Sequence, residues 1–292
     1  MKYLTTFFIK LIVTIINLLP HKLVVFCGRI FGMLLYFLSK QRRDITLTNL
    51  KNAYPTKRSK EITDICKFSY QNLGISIFEL IKFRTQSISE IKNIIKFTNP
   101  ELITEVYNRG KGLIMMTGHF GNWEMLALAT GIETSSTLQH GINVVAKNQK
   151  NAFFDNYIID NREKFGNKVI NAGNAAKEMI KLIKNKEIVA LIVDQSADPN
   201  KDVFVDFFGN PAATYEAPAV LALKFNLPIL VSYAIRQKDN TYIATFEELK
   251  HDDLLFDKEG IKELTLRHVK HLENQIRLHP DMWSWQHRRW KH

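Results

Sequence analysis

From about residue 98 onward the chain alternates short apolar runs with helical patterns, and this constrains its fold more than any other feature. The runs Leu113–Met116, Ile142–Ala146, Val189–Val193, Ile229–Ile235 and Tyr242–Phe246 are short and almost continuously apolar. Between them lie helical stretches near Trp123–Thr130, Asn151–Phe165, Ala175–Asn185, Ala217–Phe225 and Ile261–Leu278. Strand–helix alternation of this kind implies an α/β fold: a mostly parallel sheet flanked by helices on both faces. The last run is bordered by polar Thr241 and Glu247 and reads as an antiparallel edge. Residues 41–95 read as helices, with Ile45, Leu47, Leu50 and Ala53 at helical spacing until Pro55 stops the pattern. The expected organisation is an N-terminal helical membrane anchor over 1–40, a helical segment over 41–95 packed on the core, and an α/β core over 96–292.

The distribution of charge says what the N-terminus faces. The net charge is +11, and residues 1–60 hold eleven Lys or Arg and a single acid, Asp44. The same residues carry the longest apolar stretches, Tyr3 to Leu19 interrupted by Lys10, and Leu23 to Ser39 interrupted by Arg29. Cations interleaved with apolar side chains suit an anionic membrane surface, where each is worth about 1 kcal/mol. Nucleic-acid binding would require a polar basic face, which the first forty residues lack. Each apolar stretch is marginal as a spanning helix, for which about 20 residues are needed. The expected arrangement is an anchor that spans once or lies deep in the interface, with the basic residues keeping the main domain on the cytoplasmic side. Two cysteines, Cys27 and Cys66, make neither a disulfide framework nor a metal site.

Chemistry concentrates in Gly118-His119-Phe120-Gly121-Asn122-Trp123-Glu124, directly after an apolar run and before a helical one. A strand–turn–helix junction is where α/β proteins place ligands and catalytic groups. Gly118 and Gly121 suit the turn, and Asn122 is a good N-cap. Free amides at the helix start favour an anion or a developing oxyanion. An imidazole steered by a carboxylate makes a general base near neutral pH, so His119 and Glu124 are the candidate pair. Their separation is not the i, i+4 spacing of a helical metal pair, and no metal is implied. Asp194 follows another apolar run and is expected at the same sheet edge, binding substrate or pairing with an arginine, of which Arg162 is nearest by topology. The stretch from Asp198 to Thr214 reads as an irregular, partly apolar surface loop. The tail Trp283-Ser284-Trp285-Gln286-His287-Arg288-Arg289-Trp290-Lys291 combines residue types found at membrane interfaces and phosphate sites.

Together these motifs resemble the bacterial lipid A biosynthesis acyltransferases, within the glycerolipid acyltransferase-like group. The resemblance runs through Leu19-Pro20, Gly28-Arg29, Arg42-Arg43, Asn49-Leu50, the segment Gly118 to Glu124, Arg162, Asp194-Gln195, Val203 to Gly209, Pro211 to Thr214 and Trp285 to Lys291. It implies transfer of a fatty acyl chain from acyl carrier protein to a hydroxyl of a Kdo-bearing lipid A precursor in lipopolysaccharide biosynthesis. The reaction would take place at the cytoplasmic side of the inner membrane. No cofactor is implied, the carrier-linked acyl group being a substrate. The implied partners are acyl carrier protein, an anionic glycolipid acceptor and the membrane. In this picture His119 deprotonates the acceptor and Glu124 orients the imidazole, while Arg162, Asp194, Asn122, Arg288 and Arg289 contact substrate. Ser196-Ala197-Asp198 with Asp202, and Tyr215-Glu216, depart from the family pattern and bear on acyl length and acceptor detail. The competing readings are another glycolipid or glycerol phosphate acceptor, and a non-catalytic membrane scaffold.

Overall fold

The computed structural model describes residues 2–147 and 151–292. The chain begins with α1 (Lys2–Leu18) and α2 (His21–Leu38), separated at Pro20. Then come α3 (Lys40–Ala53), which ends just before Pro55, and the long α4 (Ser59–Lys82). Helices α2 and α4 meet backbone to backbone. A β-carbon on Gly32 would lie 2.1 Å from the Tyr70 carbonyl oxygen, and one on Gly74 would lie 2.2 Å from that of Gly28. The outer face of α1 and α2 is bare and greasy, with Leu11, Ile12, Ile15, Leu18, Leu23, Phe26, Ile30, Leu34, Phe37 and Leu38 all exposed. Among the described residues, α2 is the helix long and apolar enough to cross a membrane.

Beyond α4 the expected alternation sets in. Helix α5 (Ile88–Ile94) is closed at its start by a Ser87–Glu90 capping box and runs into β1 (Ile95–Phe97). The order continues α6 (Glu101–Tyr107), β2 (Leu113–Thr117), α7 (Trp123–Thr137), β3 (Asn143–Ala146), α8 (Ala152–Glu163), β4 (Lys168–Asn171), α9 (Ala175–Lys184) and β5 (Ile188–Ile192). It closes with β6 (Val203–Phe207), β7 (Asn210–Thr214), α10 (Ala217–Phe225), β8 (Ile229–Arg236), β9 (Tyr242–Glu248) and α11 (Lys258–Leu278). Among the described residues, seven strands form one sheet in the order β1-β9-β8-β2-β5-β3-β4, parallel except where β9 runs against β8. Successive residues of β2 feed opposite cores. Ile114 and Met116 pack with residues of α9, α10 and α11, while Leu113 and Met115 pack with residues of α6. A central strand buried on both faces is apolar throughout, which is why its run carries no alternation.

Two expectations change. The β9 strand is antiparallel but not an edge, because β1 pairs along its other side. The stretch 198–214 is not a loose greasy surface. It contains the antiparallel hairpin β6–β7, turned at Phe208 (φ 56°) and Gly209 (φ 77°), two left-handed residues in the manner of a type I′ turn. Val205, Phe207 and Phe208 point inward and are buried with Trp283 and Trp285.

Candidate active site

The parallel pairing of β2 with β5 sets Thr117 opposite Ile192, so two residues further on His119 stands beside Asp194. Their contact is direct. His119 Nδ1 lies 2.7 Å from Asp194 Oδ1, and the His119 backbone N–H donates to Oδ2 at 2.8 Å. The Trp283 indole N–H also donates to Oδ2, at 2.7 Å. A β-carbon on Gly118 would lie 3.2 Å from Asp194 Oδ2 and 3.1 Å from the Leu272 side chain, so a glycine before the histidine lets the two strand ends close up. Since an ionised carboxylate only accepts, Nδ1 carries the ring proton and Nε2 keeps its lone pair. The Gln195 side-chain amide lies 3.4 Å from that Nε2.

Charge follows geometry. Burial works against the ionised Asp194 carboxyl, but attraction to His119 and the hydrogen bonds it accepts overcome this and hold its pKa at about 2. Burial likewise opposes the His119 cation. The Asp194 carboxylate, with a smaller contribution from Glu124, outweighs it and raises the imidazole pKa above its usual 6.5. The result is a hydrogen-bonded base with one nitrogen held and the other available.

The turn carrying His119 is fixed from three sides. Gly121 adopts φ 57°, and a β-carbon there would sit 1.8 Å from the Ala234 carbonyl oxygen, which excludes any other residue. The C-terminal segment straps the turn: Gly121 N–H donates to the Met282 carbonyl at 2.8 Å, and Ser284 N–H to that of His119 at 2.9 Å. Asn122 caps α7 by accepting from Met125 N–H at 2.9 Å, while its amide donates to Glu79 on α4 at 2.7 Å. Glu79 is itself buried and also takes the Tyr242 hydroxyl at 2.6 Å and His21 at 2.8 Å. Asn122 is thus engaged on both sides by the protein.

Glu124 does not take the orienting place on the imidazole. It lies in the first turn of α7 and receives the Arg162 guanidinium from α8, Nε to Oε2 at 2.9 Å and Nη2 to Oε1 at 2.6 Å. Asp194 sits on the ring instead because strand register brings it there, whereas the helical turn aims Glu124 at α8. Arg162, expected beside Asp194, therefore pairs with Glu124. Both remain close enough to His119 to act on its charge in opposite senses.

The tail also differs from its surface reading. Trp283, Trp285 and Arg289 are almost wholly buried. The Arg289 guanidinium donates to the Ala213 carbonyl and the Thr214 hydroxyl, both at 2.6 Å, and lies over the Phe207 ring. Burial pulls its pKa down to about 10, against the opposing attraction of Asp194. Arg289, expected at a substrate, is instead buried and bonded to β7, whereas Arg288 is exposed. Sequence reasoning did not single out Glu79 or the Trp283–Asp194 bond. A lone acid in the apolar run Phe78-Glu79-Leu80-Ile81 was a signal for the first; nothing local announced the second.

An apolar cavity of about 40 Å3 lies beside the base, lined by Trp123, Leu126, Ala127, Thr130, Ile142, Ala190 and Leu230. The Trp123 ring contacts that of His119 edge to face, with centroids 5.0 Å apart. A base on a sheet edge with an apolar recess next to it suits a reaction on a lipid. The description of the bacterial lipid A biosynthesis acyltransferases matches residues 1–292. The chain belongs to this family. It is also 24% identical over 279 residues to the lipid A biosynthesis lauroyltransferase of Escherichia coli (strain K12), covering 94% of this chain and 87% of that one. This family member is therefore an acyltransferase of lipid A biosynthesis. Its Gly118–Glu124 turn, Arg162 and Asp194 form one polar constellation at the ends of β2 and β5.

Proposed function

We propose that the chain transfers a fatty acyl group from the thioester of acyl carrier protein to a hydroxyl of a Kdo-bearing lipid A precursor, with His119 as general base. The observation that carries this reading is the His119–Asp194 pair, which occupies Nδ1 and leaves the lone pair of the neutral ring on Nε2. Nε2 takes the proton of the acceptor hydroxyl as its oxygen attacks the thioester carbonyl. The carbon–sulfur bond then breaks, the carrier thiol leaves with a proton, and an ester remains. Asp194 holds the imidazole in the right tautomer and stabilises the cation that forms. Glu124 and Arg162 form a fixed pair of opposite charges near the ring rather than a second base.

The acyl chain is directed at the apolar recess beside Trp123, which widens from its present volume of about 40 Å3 to take it. The exposed apolar face of α1 and α2 lies in the inner membrane, and the basic residues after it keep the site on the cytoplasmic side. The purified full-length chain, given acyl carrier protein thioesters and a Kdo-bearing precursor, should yield a product heavier by one acyl group in mass spectrometry. Acylation of glycerol phosphate instead, or of neither acceptor, would overturn the assignment.

A further inference from the structure

The His119–Asp194 pair has a neighbour that takes no part in the proton transfer. A groove of about 440 Å3 lies between the start of α3, the segment after Asp194 and the C-terminal tail, lined by Gln41, Arg42, Ser196, His287, Arg288 and Lys291. No acid lines it. Among the described residues, Arg42 donates only to the Gln286 carbonyl, at 3.2 Å. Arg288 and Lys291 are exposed, and among the described residues neither has a hydrogen-bond or ion-pair partner. The Ser196 hydroxyl is shielded from solvent and also lacks a partner. The three cations around this concavity repel one another until an anion enters, and the Ser196 hydroxyl is a further donor open to it.

Location narrows what that anion belongs to. The groove adjoins the base through consecutive residues: the Gln195 amide lies 3.4 Å from His119 Nε2, and Ser196 N–H donates to His287 Nε2 at 3.3 Å. Arg42 follows the end of α2 at Leu38 by four residues, so the groove lies near the margin of the exposed apolar face. A cleft of this size fits one small charged group rather than the side of a folded partner. We propose that the groove holds a phosphate or carboxylate of the lipid headgroup bearing the acceptor hydroxyl, and so selects which hydroxyl reaches His119. This rests on the acyl-transfer reading above.

The test compares the full-length chain with Arg288→Ala/Lys291→Ala and with a control, Lys181→Ala/Lys184→Ala, that removes equal charge from the exposed side of α9. For the groove variant, KM for the anionic glycolipid should rise about tenfold or more. KM for the acyl carrier thioester and partition onto phosphatidylglycerol vesicles should match the control. An acceptor KM within twofold of the control overturns the proposal. A rise in donor KM instead would assign the groove to an acidic carrier protein, and a parallel loss of vesicle binding would assign it to bulk phospholipid; either result also overturns it. Inorganic pyrophosphate supplies an arm independent of catalysis. Millimolar pyrophosphate should raise the thermal midpoint of the wild-type chain but not that of the groove variant. If the wild-type chain acylates no glycolipid, the acyl-transfer reading fails while this titration still decides the groove: equal shifts in both proteins, or none in wild type, reject it.

Discussion

Asp194→Asn isolates the part of the machinery that the structure assigns to hydrogen-bond direction rather than bulk. In the wild type Oδ2 accepts two bonds, from His119 N–H and the Trp283 indole, while Oδ1 faces His119 Nδ1. An asparagine keeps those two bonds only by placing its carbonyl at the Oδ2 position, which puts its NH2 against Nδ1. That NH2 is a donor, so Nδ1 must offer its lone pair and the ring proton moves to Nε2. The base then has no lone pair where the acceptor hydroxyl approaches. General-base catalysis contributes about 10²–10⁴ in rate, or about 3–5.5 kcal/mol of barrier, and loss of the correct tautomer removes roughly 10⁴ in a comparable triad, at the upper end of that range. Because Asp194 raises the His119 pKa, its removal also shifts the acid limb of the rate profile to lower pH. Initial rates of acyl transfer between pH 5 and 9, with thermal unfolding as a check on folding, read both effects. Glu124→Gln, which touches Arg162 and not the ring, should move that limb less. An Asp194→Asn enzyme within tenfold of wild type, with its acid limb unmoved, would refute the reasoning.

Three further perturbations test the supporting structure. Glu79→Ala removes the buried carboxylate beneath the α7 cap and should cost about 3–5 kcal/mol, a fall of roughly 10 °C in thermal midpoint; an unchanged midpoint contradicts the role of that network. Gly74→Val forces side-chain atoms into the α2 backbone and should destabilise by about 1–3 kcal/mol or more, read as earlier proteolysis of α2; wild-type resistance contradicts the close crossing. Ala127→Leu fills the recess beside Trp123, so mass spectrometry should show a shorter transferred chain, and an unaltered chain length would separate that cavity from acyl selection.

The parts of the fold that sequence made visible are those whose side chains are uniformly buried. The runs that become β2, β5 and β8 are apolar on both faces, and the turn after β2 advertises itself through Gly118, Gly121 and Asn122. Strands β1 and β4 escaped because three or four residues with Lys96, Lys168 or Asn171 among them resemble polar loop. The β6–β7 hairpin escaped because Phe208-Gly209 is an unusual pair for a type I′ turn, a bulky residue at positive φ that its burial against Trp285 tolerates. At the site, His119 was legible as the candidate base, but the carboxylate that its ring meets was not. Glu124 is near in sequence, while Asp194 becomes near only through the register of two strands 75 residues apart. The role of the tail was hidden for the same reason: Trp283 meets Asp194 across 89 residues, and no local pattern records that bond.

The most direct measurement is the rate of acyl transfer by His119→Ala in the full chain, followed as product mass with acyl carrier protein thioester and glycolipid acceptor. Loss of the base should lower the rate by at least about 10²–10⁴ while membrane binding and thermal midpoint stay near wild type. A folded His119→Ala protein that still acylates at close to the wild-type rate would contradict the account.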